Sequence, residues 1–180
     1  MVLSPQQLVS CDHGNYGCGG GYLDKAWSYL HSTGAVSDKD YPYTSGSTGK
    51  SGTCKSMSGK THYKFGTAKH ASSHSAMKDM VSSQGPCETH FTVYQDFFSY
   101  KSGVYKHKTG GRSGGHAVKL IGYGHENGQD YWLCANSWGK KWGLSGYFKI
   151  AMNDSYSNMR DCYAGLPVST SEVEYSEFLQ

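Results

Sequence analysis

Beyond Pro86 the chain is written in short runs of β-branched and aromatic residues, FTVY (91–94), HAVKLIGY (116–123), DYWLCAN (130–136) and GYFKIAM (146–152), punctuated by glycine. Runs of this length and chemistry form strands, and short polar connections between them build antiparallel sheet. Before Pro86 the pattern is different. GYLDKAWSYLHSTG places Leu23, Trp27 and Leu30 at helical spacing, with Asp24 in the first turn and Gly34 as a stop. SHSAMKDMVSSQG reads as a shorter helix ended by Gly85 and Pro86, and the stretch from Ser37 to about His74 reads as loops. A chain that is helical early and β late is α+β. The shift near residue 86 predicts a helix-and-loop domain over 1–85, an antiparallel β domain over 86–168 and a loosely held tail over 169–180.

Composition narrows the functional classes. A net charge of +3, from 17 basic against 14 acidic residues with no basic run of five or more, offers no footprint for nucleic acid. No stretch approaches the roughly 18 apolar residues of a membrane span, and MVLSPQQLVS lacks the regions of a signal peptide. Six cysteines (11, 18, 54, 87, 134, 162) lean toward an oxidising compartment, lysosomal, vacuolar or extracellular, although irregular spacing leaves their pairing open.

One histidine stands out. In SGGHAV, His116 follows a glycine pair at the start of an apolar run, and GHENG (124–128) joins that run to the next as a hairpin. A five-residue loop over 124–128 would set His116 directly opposite Asn136. A carboxamide oxygen can take the proton of one ring nitrogen and leave the other for a reacting group. The bland alternative is two sheet residues that merely face each other.

At this point SGGHAVKLIGYG, ENGQDYWLCANSWGKKWGLSGYFKI and LSPQQLVSCDHGNYGCGGGYLDKAW resemble the papain-like cysteine proteases, and VYQDFFSYKSGVYKHKTGGRSGGHAV resembles their cathepsin B branch. The likeness runs from Leu3 to about Val168. It implies a partial papain-like two-domain fold, a helical and loop remnant plus an antiparallel, barrel-like β domain. It implies His116 as the catalytic histidine, Asn136 as its orienting partner and Trp138 as the indole shielding their bond. Gly20, Gly21 and Tyr22 match the backbone rim that pairs with an extended substrate. His90, Ala117 and Asp161 match the pocket for the second residue before the scissile bond, with Asp161 at its floor, where an acid accepts basic side chains. Cys11 with Cys54 matches a family disulfide. TSGSTGKSGTCKS lacks the paired histidines of the cathepsin B occluding loop, which implies endopeptidase action rather than removal of C-terminal dipeptides. No metal and no cofactor is implied.

One part is missing. The nucleophile of this family sits in a C-G-[SA]-C-[WY] motif about 130 to 150 residues before the histidine, and only 115 residues precede His116. Cys18 lies just ahead of a helix, but by resemblance it is a disulfide cysteine whose partner belongs to the absent segment. A zinc reading of Cys11, His13 and Cys18 lacks a fourth ligand at finger-like spacing. Cys87 and Cys134 fall in predicted strands, where buried thiols act as small apolar groups, and aligning AGLP leaves Cys162 off the family pattern with Tyr156 in place of its usual cysteine.

Two functions follow as expectations. One is a cysteine endopeptidase cleaving peptide or protein substrates, inactive as this chain alone, with its nucleophile elsewhere and a companion chain or partner over the missing segment. The other is a protease-derived binding or structural subunit without catalysis.

Overall fold

The structure, a computed structural model, describes residues 1–168; the tail expected over 169–180 lies outside the described residues. Two compact units are formed, Met1–Ala68 with the stretch from Gly165, and Lys69–Ala164.

In the first unit, helix α1 (Pro5–Cys11) starts where the Ser4 hydroxyl accepts from the Gln7 amide at 3.0 Å, with Pro5 in the first turn. The sequence reading passed over this helix, although Ser-Pro ahead of QQLV carries the start signal. Gln6 and Gln7 are buried, 2% and 0% exposed. The Gln7 amide donates to Tyr29 Oη and Gly34 O at 3.0 Å and accepts from Val36 N at 2.7 Å. Gln6 donates to Ser10 and Ser45 hydroxyls and accepts from the amides of Thr44 and Ser45. With only Cys11, Val36 and Tyr41 buried at the centre of the apolar cluster, and Tyr29 and Met57 partly buried against them, two side-chain amides tie the loops that a larger core would otherwise hold. Helix α2 (Leu23–Ser32) follows the predicted span, and α3 (Ser45–Thr48) is a single turn. Cys11 is bonded to Cys54, closing a separation of 43 residues.

The second unit is a seven-stranded sheet with one α-helix. Helix α4 (His74–Gln84) is capped by Ser73, whose hydroxyl accepts from Ala76 N at 3.2 Å, and it buries Met77 and Met80. The strands are β1 (Lys69–Ala71), β2 (Cys87–Tyr94), β3 (Val104–Tyr105), β4 (Arg112–Glu126), β5 (Gln129–Ala135), β6 (Tyr147–Ala151) and β7 (Cys162–Ala164), in spatial order β1-β7-β2-β4-β5-β6-β3. Neighbours run antiparallel except β3 and β6, which are parallel. On β2 the side chains of Cys87, Thr89, Phe91 and Val93 alternate into the core, where they meet Leu120, Trp132, Phe148 and Ile150. Each such apolar side chain contributes about 1.5–3 kcal/mol of burial.

Two sequence expectations are corrected. Helix α4 packs on β1, β4 and β7, so the division between compact units falls at Ala68 and Lys69 rather than at residue 86; burial of its methionines, not the change of sequence pattern, decides where it belongs. The β4–β5 hairpin is closed by two residues, Asn127 and Gly128, between the paired Glu126 and Gln129. Both have positive φ, 49° and 77°, as a type I′ turn requires, and the register then shifts between Leu120 and Gly122. His116 and Asn136 are therefore not a facing pair: the ladder stops at Lys119 opposite Ala135, and Asn136 stands just past the end of β5.

The segment between β2 and β4 is organised by one carboxylate. Asp96 is 16% exposed and accepts from Tyr105 Oη at 2.7 Å, His107 Nδ1 at 3.0 Å, Lys108 N at 2.8 Å and Thr109 N at 3.1 Å. Burial works against its charge, but these donors outweigh burial and hold the group well below the ordinary carboxylate range.

Because its folded value is depressed, Asp96 adds stability that is present above the unfolded value of about 3.9 and is lost as pH falls through the folded value. Urea unfolding of Asp96→Asn should show a loss of about 2–3 kcal/mol at pH 7, narrowing as the pH drops below about 3.9. Reduction of the Cys11–Cys54 bond should cost about 4 kcal/mol by loop-closure entropy for its length, read as a thiol-dependent fall in the melting temperature of the first unit.

Candidate active site

His116 sits on β4, the strand flanked by β2 and β5. Its register partner on β2 is Phe91, which also meets the ring edge-on at 5.9 Å. On the other flank the imidazole stacks on Trp138, with centroids 5.0 Å apart and planes at 23°. Phe98 stacks on Trp138 at 5.2 Å and 10°, and Phe97 and Trp142 meet it edge-on. Trp142 Nε1 donates to Phe98 O at 3.0 Å, which holds this aromatic wall to the turn organised by Asp96.

Asn136 Oδ1 lies 2.8 Å from His116 Nε2 and also accepts from Ser137 N at 2.8 Å. A backbone N–H can only donate, so its contact identifies the atom facing the ring as the amide oxygen, and the ring nitrogen beside it must carry the proton. His116 Nδ1 makes no hydrogen bond with any described residue. Neutral, it offers a lone pair; protonated, it offers an N–H. Asn136 is itself held by its backbone N–H, which donates to Gly146 O at 2.9 Å, while its side-chain Nδ2 is buried without an acceptor. A buried orphan donor of this kind costs about 1–3 kcal/mol.

The β2 flank carries the other chemistry. His90 and Ala117 are direct register partners, one step from the Phe91–His116 pair. Asp161 immediately precedes β7, the other neighbour of β2, and its backbone oxygen accepts from Thr89 Oγ1 at 2.6 Å. Its carboxylate lies 3.0 Å from His90 Nε2 and 3.3 Å from His70 Nε2. The structure thus brings His90, Ala117 and Asp161 together. His70 was absent from the sequence reading because its strand, β1, fell inside a stretch read as loops; Phe98 was quoted only as part of a motif.

Gly20, Gly21 and Tyr22 belong to the first unit, where all three are exposed. Gly20 has φ of 99°, a conformation glycine adopts freely. A Cβ on Gly21 would come within 2.5 Å of Asn15, whose carboxamide accepts from Tyr22 N at 2.8 Å and donates to Asp12 at 2.7 Å. Asn15 thus holds this exposed rim in shape, while Gly20 N donates to Gly17 O at 3.2 Å and Gly20 O accepts from Tyr16 N at 3.0 Å.

Among the cysteines, Cys18 is exposed and Cys87, Cys134 and Cys162 are buried thiols. A hydrogen bond with Cys162, and then burial, push the Cys87 thiol up, and burial does the same to Cys134. Such groups are poor sources of thiolate. Among the described residues no cluster of three or more His, Cys, Asp or Glu could hold a metal ion.

The family model for papain family cysteine proteases matches residues 1–166. The chain belongs to that family. "Cathepsin B-like CP2" of Giardia intestinalis is 43% identical over 174 residues, covering 92% of this chain and 58% of that protein. The "Gut-specific cysteine proteinase" of Caenorhabditis elegans is 43% identical over 178 residues, covering 85% and 54%. The solved proCathepsin B S9 from Trypanosoma congolense superposes with a TM-score of 0.84 at 32% identity, covering 93% of this chain and 61% of that one. Within the family the chain is cathepsin B-like, and it spans little more than half the length of these relatives.

Nitrogen-15 spectra of the histidine rings at alkaline pH should show His116 held in the Nε2–H tautomer. Asn136→Ala should release it into a mixture of both tautomers, whereas Asn136→Asp should keep the Nε2 proton in place.

Proposed function

We propose that this chain is the histidine- and asparagine-bearing portion of a cathepsin B-like cysteine endopeptidase, and that the nucleophilic cysteine comes from sequence outside these residues. The supporting observation is the Nε2–H of His116 on Asn136 Oδ1 at 2.8 Å, with Nδ1 left without a partner. In the proposed reaction a cysteine thiol gives its proton to Nδ1, and the thiolate sulfur bonds the peptide carbonyl carbon. The imidazolium then hands that proton to the leaving amine as the C–N bond breaks, leaving an acyl-enzyme. Water attacks the thioester carbonyl while Nδ1 takes its proton; the C–S bond then breaks to release the carboxylic acid, and that proton returns to the sulfur to restore the thiol. Asn136 keeps the ring on one tautomer throughout, and Trp138 keeps water from the His116–Asn136 bond.

In this reading Gly20, Gly21 and Tyr22 pair with an extended peptide, and His90, Ala117 and Asp161 line the pocket for the second residue before the cleaved bond. The chain alone is inactive, a companion segment covers the surface left by the nucleophile helix, and the Cys11–Cys54 bond suits a lysosomal, vacuolar or extracellular setting. The second reading, a binding or structural subunit derived from a protease, is favoured by one observation: all three thiols of the unit that carries His116 are buried.

Intact mass spectrometry of the natively purified protein, followed by labelling with an epoxide inhibitor of cysteine proteases, separates the two. The peptidase reading expects a label on a companion peptide or upstream segment and none on Cys18, Cys87, Cys134 or Cys162. No label on any chain favours the subunit.

A further inference from the structure

The acid on the β2 flank is already engaged. Asp161 Oδ2 and His70 Nε2 form a hydrogen bond of 3.3 Å, and His70 is pinned, stacked on Tyr163 with centroids 4.2 Å apart and planes at 8°. Asp161 Oδ1 is different: it is buried and has no aligned hydrogen-bond donor, and His90 Nε2 stands 3.0 Å away, an ion pair only when that ring is protonated. The His90 side chain is 51% exposed and makes no other ion pair, hydrogen bond or ring contact among the described residues. One imidazole anchors the carboxylate. The other leans on its unsatisfied oxygen and is free to leave.

From this asymmetry we infer that His90 is a specificity-determining gate over Asp161, an inference that rests on the peptidase reading of the site. Seated, the imidazole occupies the space beside Oδ1 and screens the carboxylate, so the pocket takes an apolar or aromatic side chain at the second residue before the scissile bond. Swung into solvent by its side-chain torsions, it leaves Oδ1 to a guanidinium or ammonium group. Such a donor supplies the charge-assisted hydrogen bond that the buried oxygen lacks. His70 stays behind as the positioning residue that holds the carboxylate for either occupant. A basic side chain is therefore admitted only at the cost of displacing His90, and the acid at the pocket floor confers a weaker preference for Arg or Lys than an unscreened carboxylate would.

The test uses the complete enzyme, this chain together with its nucleophile-bearing segment, and two peptide reporters identical except for Arg or Phe at that position. The readout is the ratio of kcat/KM for the Arg reporter to that for the Phe reporter. His90→Ala should raise the ratio roughly five- to tenfold, the scale of one net hydrogen bond. Asp161→Asn should lower it, and the double variant should match Asp161→Asn, because His90 acts through that carboxylate. His90→Gln, which keeps an N–H donor, should stay near the wild-type ratio, and unchanged thermal unfolding of His90→Ala excludes a folding effect. The inference is overturned if His90→Ala slows both reporters equally, or shifts the ratio as much with Asp161→Asn as without it. A wild-type protein that takes no epoxide label and cleaves neither reporter overturns the peptidase reading instead, and the gate with it.

Discussion

The amide oxygen of Asn136 is claimed by two donors at once, the backbone N–H of Ser137 and the ring N–H of His116. This double claim is the constraint on which the rest of the site depends. A carboxamide with one donor could present either end to the imidazole. With the backbone fixing the oxygen, only one tautomer of His116 fits, and its second nitrogen is left for chemistry. The orphaned Nδ2 of Asn136 is the stability given up for that orientation. Trp138 and the aromatic cluster around it cover the bond, and the Asp96 hub holds the turn that carries Phe97 and Phe98 beside them.

The second unit uses its sheet order to give the imidazole two unlike flanks. On one side β1, β2 and the residue just before β7 bring a carboxylate and two histidines from three separate stretches of chain. On the other, the segment after β5 brings rings and a neutral amide. Charge is gathered on the β2 flank and kept away from the hydrogen bond that orients His116. The first unit solves a different problem. Its apolar cluster is small, so buried glutamines and a disulfide supply cross-links that a hydrophobic core would give elsewhere.

Much of this was legible in the residues. Helices α2 and α4 end where Gly34 and Gly85 end them, and the runs beyond Pro86 are strands because their residue types suit nothing else so well. The nearness of His116 and Asn136 was read for a wrong reason. Asn127 and Gly128 alone make the turn, in place of a five-residue loop, and the shift at Ile121 alters the register again. The two side chains meet nevertheless, because Asn136 has left the ladder and reaches back. His70 was invisible, since a three-residue strand held at a sheet edge has no periodicity of its own to betray it.

The residues by themselves determined the α+β class, the family motifs around His116 and Asn136, and the lack of a nucleophile motif. These are local matters, set by propensity, turn chemistry and contiguous pattern. Only the tertiary structure decided that Asn136 presents its oxygen, that α4 belongs with the sheet, and that Asp161 lies between two imzidazole rings drawn from β1 and β2. Each of those depends on groups far apart in the chain being pressed together by burial, and no local pattern encodes which distant neighbour a side chain will meet.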